Sequence, residues 1–268
     1  MEYLIAVDME GIHGVVGKKY AAFSDAPDFA LAKENAVKEV NAAVSALFDN
    51  GATKVAVWDN HAGGGNIDFS KIDPRATEIV GARENARRMD FVKEHNFAGI
   101  IYIGYHSREG TIGGVLAHTF NGFEIQYVKI NGREVGELDI DSYIAATYNM
   151  PPLFVASDDK GVSQMLDISP ETVGVITKFG TSRHTAELKD CETVLSEIYD
   201  GCARCVKTQV PVCELKMPVN TEVRYSRAVI AEDALNRALK AGINAQYGND
   251  SHTVIYEINK VNDIPSFL

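Results

Sequence analysis

Three short apolar runs in this chain each end in residues able to hold a metal ion or move a proton. Tyr3 to Val7 leads into Asp8-Met9-Glu10-Gly11, Lys54 to Trp58 into Asp59-Asn60-His61, and Gly99 to Gly104 into Tyr105-His106. His118 and Glu137 follow, the latter beyond an Asn131-Gly132 turn. An ionised carboxylate withdrawn from water needs a counter-charge, a metal or a basic side chain, or it is driven towards its neutral form. Imidazole mixed with carboxylate and free of thiol suits a catalytic zinc, and also manganese, nickel or iron. Carboxylates able to bridge favour two ions over one.

Such residues work together only if the fold collects them. Each apolar run has the length and β-branched content of a buried strand, and helical periodicity fills Phe29 through Phe48 after a start signal at Ser24-Asp25-Ala26-Pro27. Strand alternating with helix marks a parallel sheet, and ligands bind beyond the carboxyl ends of its strands. A charged helix is predicted from Ala82 to His95, a strand over Phe123 to Ile130, and a hairpin placing Val135-Gly136-Glu137 on its returning arm. Next come a helix from about Asp139 to Tyr148, a strand at Leu153 to Ala156, a helix from Asp159, a strand at Val173 to Thr177 and a long helix from Thr185 to Val206. The remainder reads as a strand at Cys213 to Met217, a helix at Ala231 to Ala241 and a strand at Thr253 to Ile258. The expected fold is a three-layer α/β/α domain with a mainly parallel sheet over 1–206, and a smaller α+β portion over 207–268.

Lys+Arg 26 against Asp+Glu 37 gives a net charge of −11, which argues against a nucleic-acid binder. No apolar run approaches a membrane span, and Met1 leads almost directly into the first strand. A cytoplasmic protein is expected. Cys202-Ala203-Arg204-Cys205 has the spacing of a redox or zinc pair, but it lies late in a predicted helix and no second close pair completes a zinc site, so reduced thiols are expected.

Val7-Asp8-Met9-Glu10-Gly11, Asp59-Asn60-His61, Gly104-Tyr105-His106-Ser107-Arg108, Val115 to Thr119 and Asn131 to Glu137 resemble, in order, the successive motifs of the zinc-dependent D-aminopeptidases of the DppA (dipeptide-operon) type. The resemblance continues through Ala156 to Asp159 and Lys178 to Arg183, and weakens after about Pro211. It implies Asp8, Glu10, His61, His106 and Glu137 as ligands of a two-zinc centre with Asp8 bridging, His118 as the catalytic residue, and a ring-shaped homo-oligomer, a decamer being one such ring. The family is described with this histidine as nucleophile. With water activated by zinc, acid or base duty towards the leaving amine fits the residue better. Asp59, Asp158 or a zinc ion are candidates for the α-amine of a short peptide substrate.

Asp-x-Glu after a first strand also opens metal-dependent exonucleases, and Asp-x-Asp the haloacid-dehalogenase phosphatases. The first needs further aspartates on helices and a basic track, the second another aspartate with later Ser/Thr and Lys, and neither set is met. Another metal amidohydrolase, or a non-catalytic metal or peptide binder, is the rival. A binder has no use for a non-ligating histidine beside the metals.

Overall fold

The apolar runs pair side by side as parallel strands. The computed structural model describes residues 1–17, 26, 28–80 and 87–268. In chain order its strands are β1 (Glu2–Val7), β2 (Lys54–Asp59), β3 (Thr77–Ile79), β4 (Phe97–Ile103), β5 (Ile125–Ile130), β6 (Arg133–Val135), β7 (Pro152–Asp158), β8 (Val173–Ser182), β9 (Thr185–Leu188), β10 (Val219–Tyr225), β11 (Asn244–Tyr247) and β12 (Thr253–Ile258). The helices are α1 (Phe29–Asp49), α2 (Glu137–Ala146), α3 (Asp159–Ile168), α4 (Cys191–Cys205) and α5 (Ala228–Lys240). A seven-stranded sheet runs β3-β2-β1-β4-β7-β8-β9, parallel except for the β8–β9 edge. A five-stranded antiparallel sheet, β11-β12-β10-β5-β6, draws two strands from before residue 207 and three from after it.

Alternation along the central strands sends side chains to opposite faces. Tyr3, Ile5 and Val7 pack with Ile101, Ile103 and the buried stripe Ala36, Val40, Val44 and Leu47 of α1, joined by Val194, Ile198 and Cys202 of α4. Leu4, Ala6, Ile100 and Tyr102 face the other way, onto α2, α3 and the antiparallel sheet. The α/β class therefore holds, with the second sheet reinforcing one outer layer. From β1 the chain goes to β2 on one side and returns to β4 on the other. The switch point is thus between the ends of β1 and β4, the place where such sheets leave a crevice.

Several predicted elements differ. Thr185–Leu188 forms the edge strand β9 antiparallel to β8, and the helix begins only at Cys191, where the Asp190 carboxylate accepts from Thr193 N at 2.9 Å. Ala186 and Leu188 suit either period, and the exposed edge decided it. The expected strand at Cys213 to Met217 is irregular, and pairing starts at Val219 beyond the cis Met217–Pro218 bond, since proline cannot donate to a ladder. Of the predicted helix at Ala82 to His95, residues 82–86 lie outside the described residues and Asp90–Glu94 is a short 3-10 turn. Ser24, Asp25 and Pro27 also lie outside. Glu137 is the first residue of α2 rather than part of the hairpin arm. Asn131 and Gly132 both take positive φ, 50° and 84°, as a two-residue primed turn requires. Cys202 and Cys205 are buried free thiols. Among the described residues no helix is long and apolar enough to cross a membrane.

The ends of β1 and β4 are in backbone contact. Gly11 N donates to Gly104 O at 2.7 Å, and a Cβ on Gly11 would lie 2.0 Å from Tyr105 O. Gly11→Ala is expected to cost about 1–3 kcal/mol by overpacking. Gly63→Ala, with nothing within 4 Å of the added carbon, should stay within about 0.5 kcal/mol of wild type. Urea unfolding of the two variants checks this, and equal midpoints would contradict the close approach.

Candidate active site

Asp8 follows the last residue of β1, Glu10 lies in the next turn, His61 follows β2, His106 lies three residues past β4, and Glu137 opens α2. All five are buried, and they meet. His61 Nδ1 is 2.8 Å from Asp8 Oδ1 and 3.3 Å from Glu10 Oε2. His106 Nε2 is 3.5 Å from Asp8 Oδ2 and 3.2 Å from Glu137 Oε1. His118, with a side chain 18% exposed, has Nε2 3.7 Å from Glu137 Oε1. Its ring stacks on that of His106, with centroids 3.9 Å apart and planes 13° apart.

Two sets of donor atoms emerge, each within 4.8 Å of one another: Asp8, Glu10 and His106, and His106, His118 and Glu137. His106 is common to both. The distances thus group His118 with residues that the resemblance makes ligands.

The imidazoles are held with a nitrogen facing inward. His106 Nδ1 lies 3.0 Å from Ser107 O, and His118 Nδ1 lies 2.9 Å from Leu116 O. A carbonyl only accepts, so each Nδ1 carries a proton and Nε2 is the ring nitrogen turned to the cluster, the one through which a histidine held this way can bind a metal. His106 Nε2 and Glu10 Oε2 are buried and, beyond their ion-pair contacts with Glu137 and His61, make no well-aligned hydrogen bond among the described residues. Buried polar atoms without partners are uncommon and ask for an ion. This donor set fits zinc.

Charge tells the same story. Burial alone would lower His61, but Glu10 and Asp8 push it up to about 11. Burial would likewise lower His106, and Glu137 with Glu10 and Asp8 pushes it up to about 10. Burial raises Glu137, yet His106 and His118 bring it down to about 2, and Glu10 is lowered by His61 in the same way.

Around the cluster, Arg88 donates to both oxygens of Asp141, Nε–Oδ1 2.5 Å and Nη2–Oδ2 2.8 Å, and its Nη2 is 3.9 Å from Glu137 Oε2. Its guanidinium lies over the rings of Trp58 and Phe120 at 5.3 and 5.0 Å. Tyr105 OH donates to Asp141 at 2.8 Å and accepts from Asn60 Nδ2 at 2.8 Å, so the His61 loop and the Glu137 helix are tied through one chain of bonds. Arg88 falls within the stretch Ala82 to His95 that reads as a charged helix, and nothing there singles it out. The Glu137/Asp141 spacing of four, which stacks two acids on one helix face, was the readable signal. Leu116, Phe120 and Ala62 take positive φ of 51°, 55° and 49°, an unusual conformation concentrated beside His118 and His61.

Asp59 and Asp158 do not join the cluster. Asp59 accepts from Asn66 N at 2.5 Å and Ile67 N at 3.0 Å, closing the His61 loop. Asp158 caps α3 through Lys160 N and Gly161 N and accepts from Val115 N at 2.7 Å.

A parallel sheet with a buried imidazole–carboxylate centre at its switch point defines a metal-site α/β protein. Residues 1–264 match the peptidase M55 family, described as D-aminopeptidase, and the chain belongs to that family. A D-aminopeptidase of Bacillus subtilis (strain 168) is 30% identical over 183 residues, 68% of this chain and 65% of the relative, so the chain spans just under two thirds of that relative's length. The solved structure of the Zn-dependent D-aminopeptidase DppA from Bacillus subtilis, a self-compartmentalizing protease, superposes with a TM-score of 0.89 at 24% identity, covering 100% of this chain and 95% of that one.

His61 and His106 hold protons at neutral pH in the metal-free chain because their raised values, about 11 and about 10, lie above it. Zinc held by these two imidazoles would need them deprotonated, so its binding should release protons and apparent affinity should rise with pH through neutrality. Calorimetry in buffers of different ionisation enthalpy measures the release; none at pH 7 would contradict this electrostatic picture.

Proposed function

We propose that this chain is a zinc-dependent aminopeptidase that removes N-terminal residues, D-amino acids in particular, from short peptides. The observation that carries the reading is the shared His106 between two donor sets, one the buried Asp8 and Glu10, the other buried Glu137 with part-exposed His118. Asp8, Glu10, His61, His106 and Glu137 would hold two zinc ions, with Asp8, which faces both His61 and His106, between them. When bound, zinc polarises a scissile carbonyl and brings the pKa of a water towards neutrality. Membership of the D-aminopeptidase family supports the substrate class.

His118 moves the proton in this reading. Its Nδ1–H is fixed on Leu116 O, so Nε2 is the atom that accepts a proton from the attacking water and returns it to the departing amine. Glu137 Oε1, 3.7 Å from His118 Nε2, accepts from Phe120 N at 2.9 Å and so fixes the loop that carries this imidazole. Asp59 and Asp158, considered above for the substrate's α-amine, serve here as anchors of the loops bearing His61 and Val115. The similar Bacillus protein is described as self-compartmentalizing, and a closed homo-oligomeric ring enclosing the sites is the assembly we propose.

His118→Ala should keep its zinc and fold and lose roughly 10²–10⁴ in kcat on a D-alanyl p-nitroanilide. His61→Ala should lose zinc along with activity. Zinc per chain and turnover, measured together and against the L-alanyl compound, decide it. A fully active His118→Ala chain would remove the proton-transfer role, loss of its zinc would make His118 a ligand, and preference for the L-compound would overturn the substrate class.

A further inference from the structure

Lys178 is fully buried, with none of its surface exposed, although it belongs to no donor set of the centre. It lies on β8, which β4 and β7 separate from β1 in the sheet. Nevertheless Lys178 Nζ donates to Glu10 O and to Ile12 O, both at 2.6 Å, and neighbouring Thr177 Oγ1 donates to Gly11 O at 2.6 Å. The turn after β1 folds over two strand ends to receive them. Ile12 O has a second donor, Val15 N at 3.1 Å, but the carbonyls of Glu10 and Gly11 have no other donor among the described residues.

A buried ammonium is costly unless it is paired and hydrogen-bonded. Asp158, Glu39 and Glu10 are the carboxylates whose charge it feels, and Glu39 Oε1 in turn accepts from His13 N at 2.7 Å, one residue past Ile12. Residues 10–13 are therefore gripped from β8 and from α1 at once. On the opposite side Asp8 N donates to Ile103 O and Gly11 N to Gly104 O, at 2.9 and 2.7 Å. Lysine suits the position because a single tetrahedral nitrogen reaches two converging carbonyls from the end of a long stem.

We infer that Lys178 and Thr177 are positioning residues for the metal centre: by holding the carbonyls of residues 10–12 they aim the Asp8 and Glu10 carboxylates, and so set metal affinity without touching metal or substrate. The inference rests on the metal reading above. Residues that orient ligands from outside typically change metal affinity by about 10–100-fold when removed. A lysine that merely filled the core would be replaceable by methionine without effect on the ions.

The test measures zinc affinity by chelator competition, and the visible spectrum of the cobalt-substituted protein, for wild type, K178M, T177V and T177S. With folding judged by far-UV circular dichroism, K178M should bind zinc about 10–100-fold more weakly and give an altered cobalt spectrum. T177V, lacking one neutral hydrogen bond, should lose about 2–10-fold, and T177S, which keeps the hydroxyl, should recover it. If K178M does not fold, the T177V and T177S pair decides. Wild-type affinity and spectrum in folded K178M or T177V would overturn the inference and leave the metal reading intact. A wild-type chain that binds neither ion would overturn the metal reading, and this inference with it.

Discussion

The structure turns on burying Asp8, Glu10 and Glu137 together at one crevice. Two like charges 4 Å apart repel by roughly 4 kcal/mol at the effective dielectric of a protein surface. That is a large part of the about 5–15 kcal/mol by which a domain is stable. Opposite charge inside the crevice is therefore a condition of folding as well as of chemistry. Without an ion, protons on His61 and His106 supply it, which is why burial fails to lower either ring. In the proposed zinc-loaded protein the ion would take over that duty and the imidazoles would serve as neutral ligands.

The crowding also dictates what surrounds the crevice. Side chains held in a repulsive arrangement drift unless their backbones are fixed, and here fixing comes from elements distant in sequence. Arg88 grips Asp141 one helical turn from Glu137, Tyr105 and Asn60 carry that grip to the His61 loop, and β8 holds the turn after β1. On the His118 side, Arg183 donates to Ala117 O and its own carbonyl accepts from Leu116 N at 2.9 Å. Left-handed backbone at Leu116 and Phe120, costing of order 1–3 kcal/mol each, persists only because such contacts over-determine the loop. Preorganisation of this kind spares the reaction the work of arranging its own groups.

How much of this the amino-acid sequence discloses depends on range. Strand ends could be read because Tyr3 to Val7 and Gly99 to Gly104 are short apolar runs stopped by polar residues and glycine, and that punctuation is local. The parallel sheet followed from alternation of elements, and Asn131-Gly132 announced its turn through the conformations it tolerates. Thr185 to Leu188 misled because four residues fit both helical and strand periods, and only the vacant edge of β8 resolves that. β10 is obscured by its polar residues: Asn220, Glu222 and Arg224 alternate with buried Val219, Thr221, Val223 and Tyr225. Within the site, residue types at strand ends pointed to Asp8, Glu10, His61 and His106. Arg88 and Thr177 are defined by partners far along the chain, and no local pattern marks them. Asp59 was attractive by its neighbours in sequence, yet its carboxylate is occupied by the amides of its own loop.

The central claim is that the crevice at the ends of β1 and β4 is built around metal ions. Anomalous scattering at the zinc edge from crystals of zinc-loaded protein addresses it without recourse to activity. Density is expected among Asp8, Glu10, His61, His106 and Glu137, with ligand distances of about 2.0–2.2 Å. Zinc found elsewhere in the chain, or a zinc-loaded protein whose five side chains enclose only water, would contradict it.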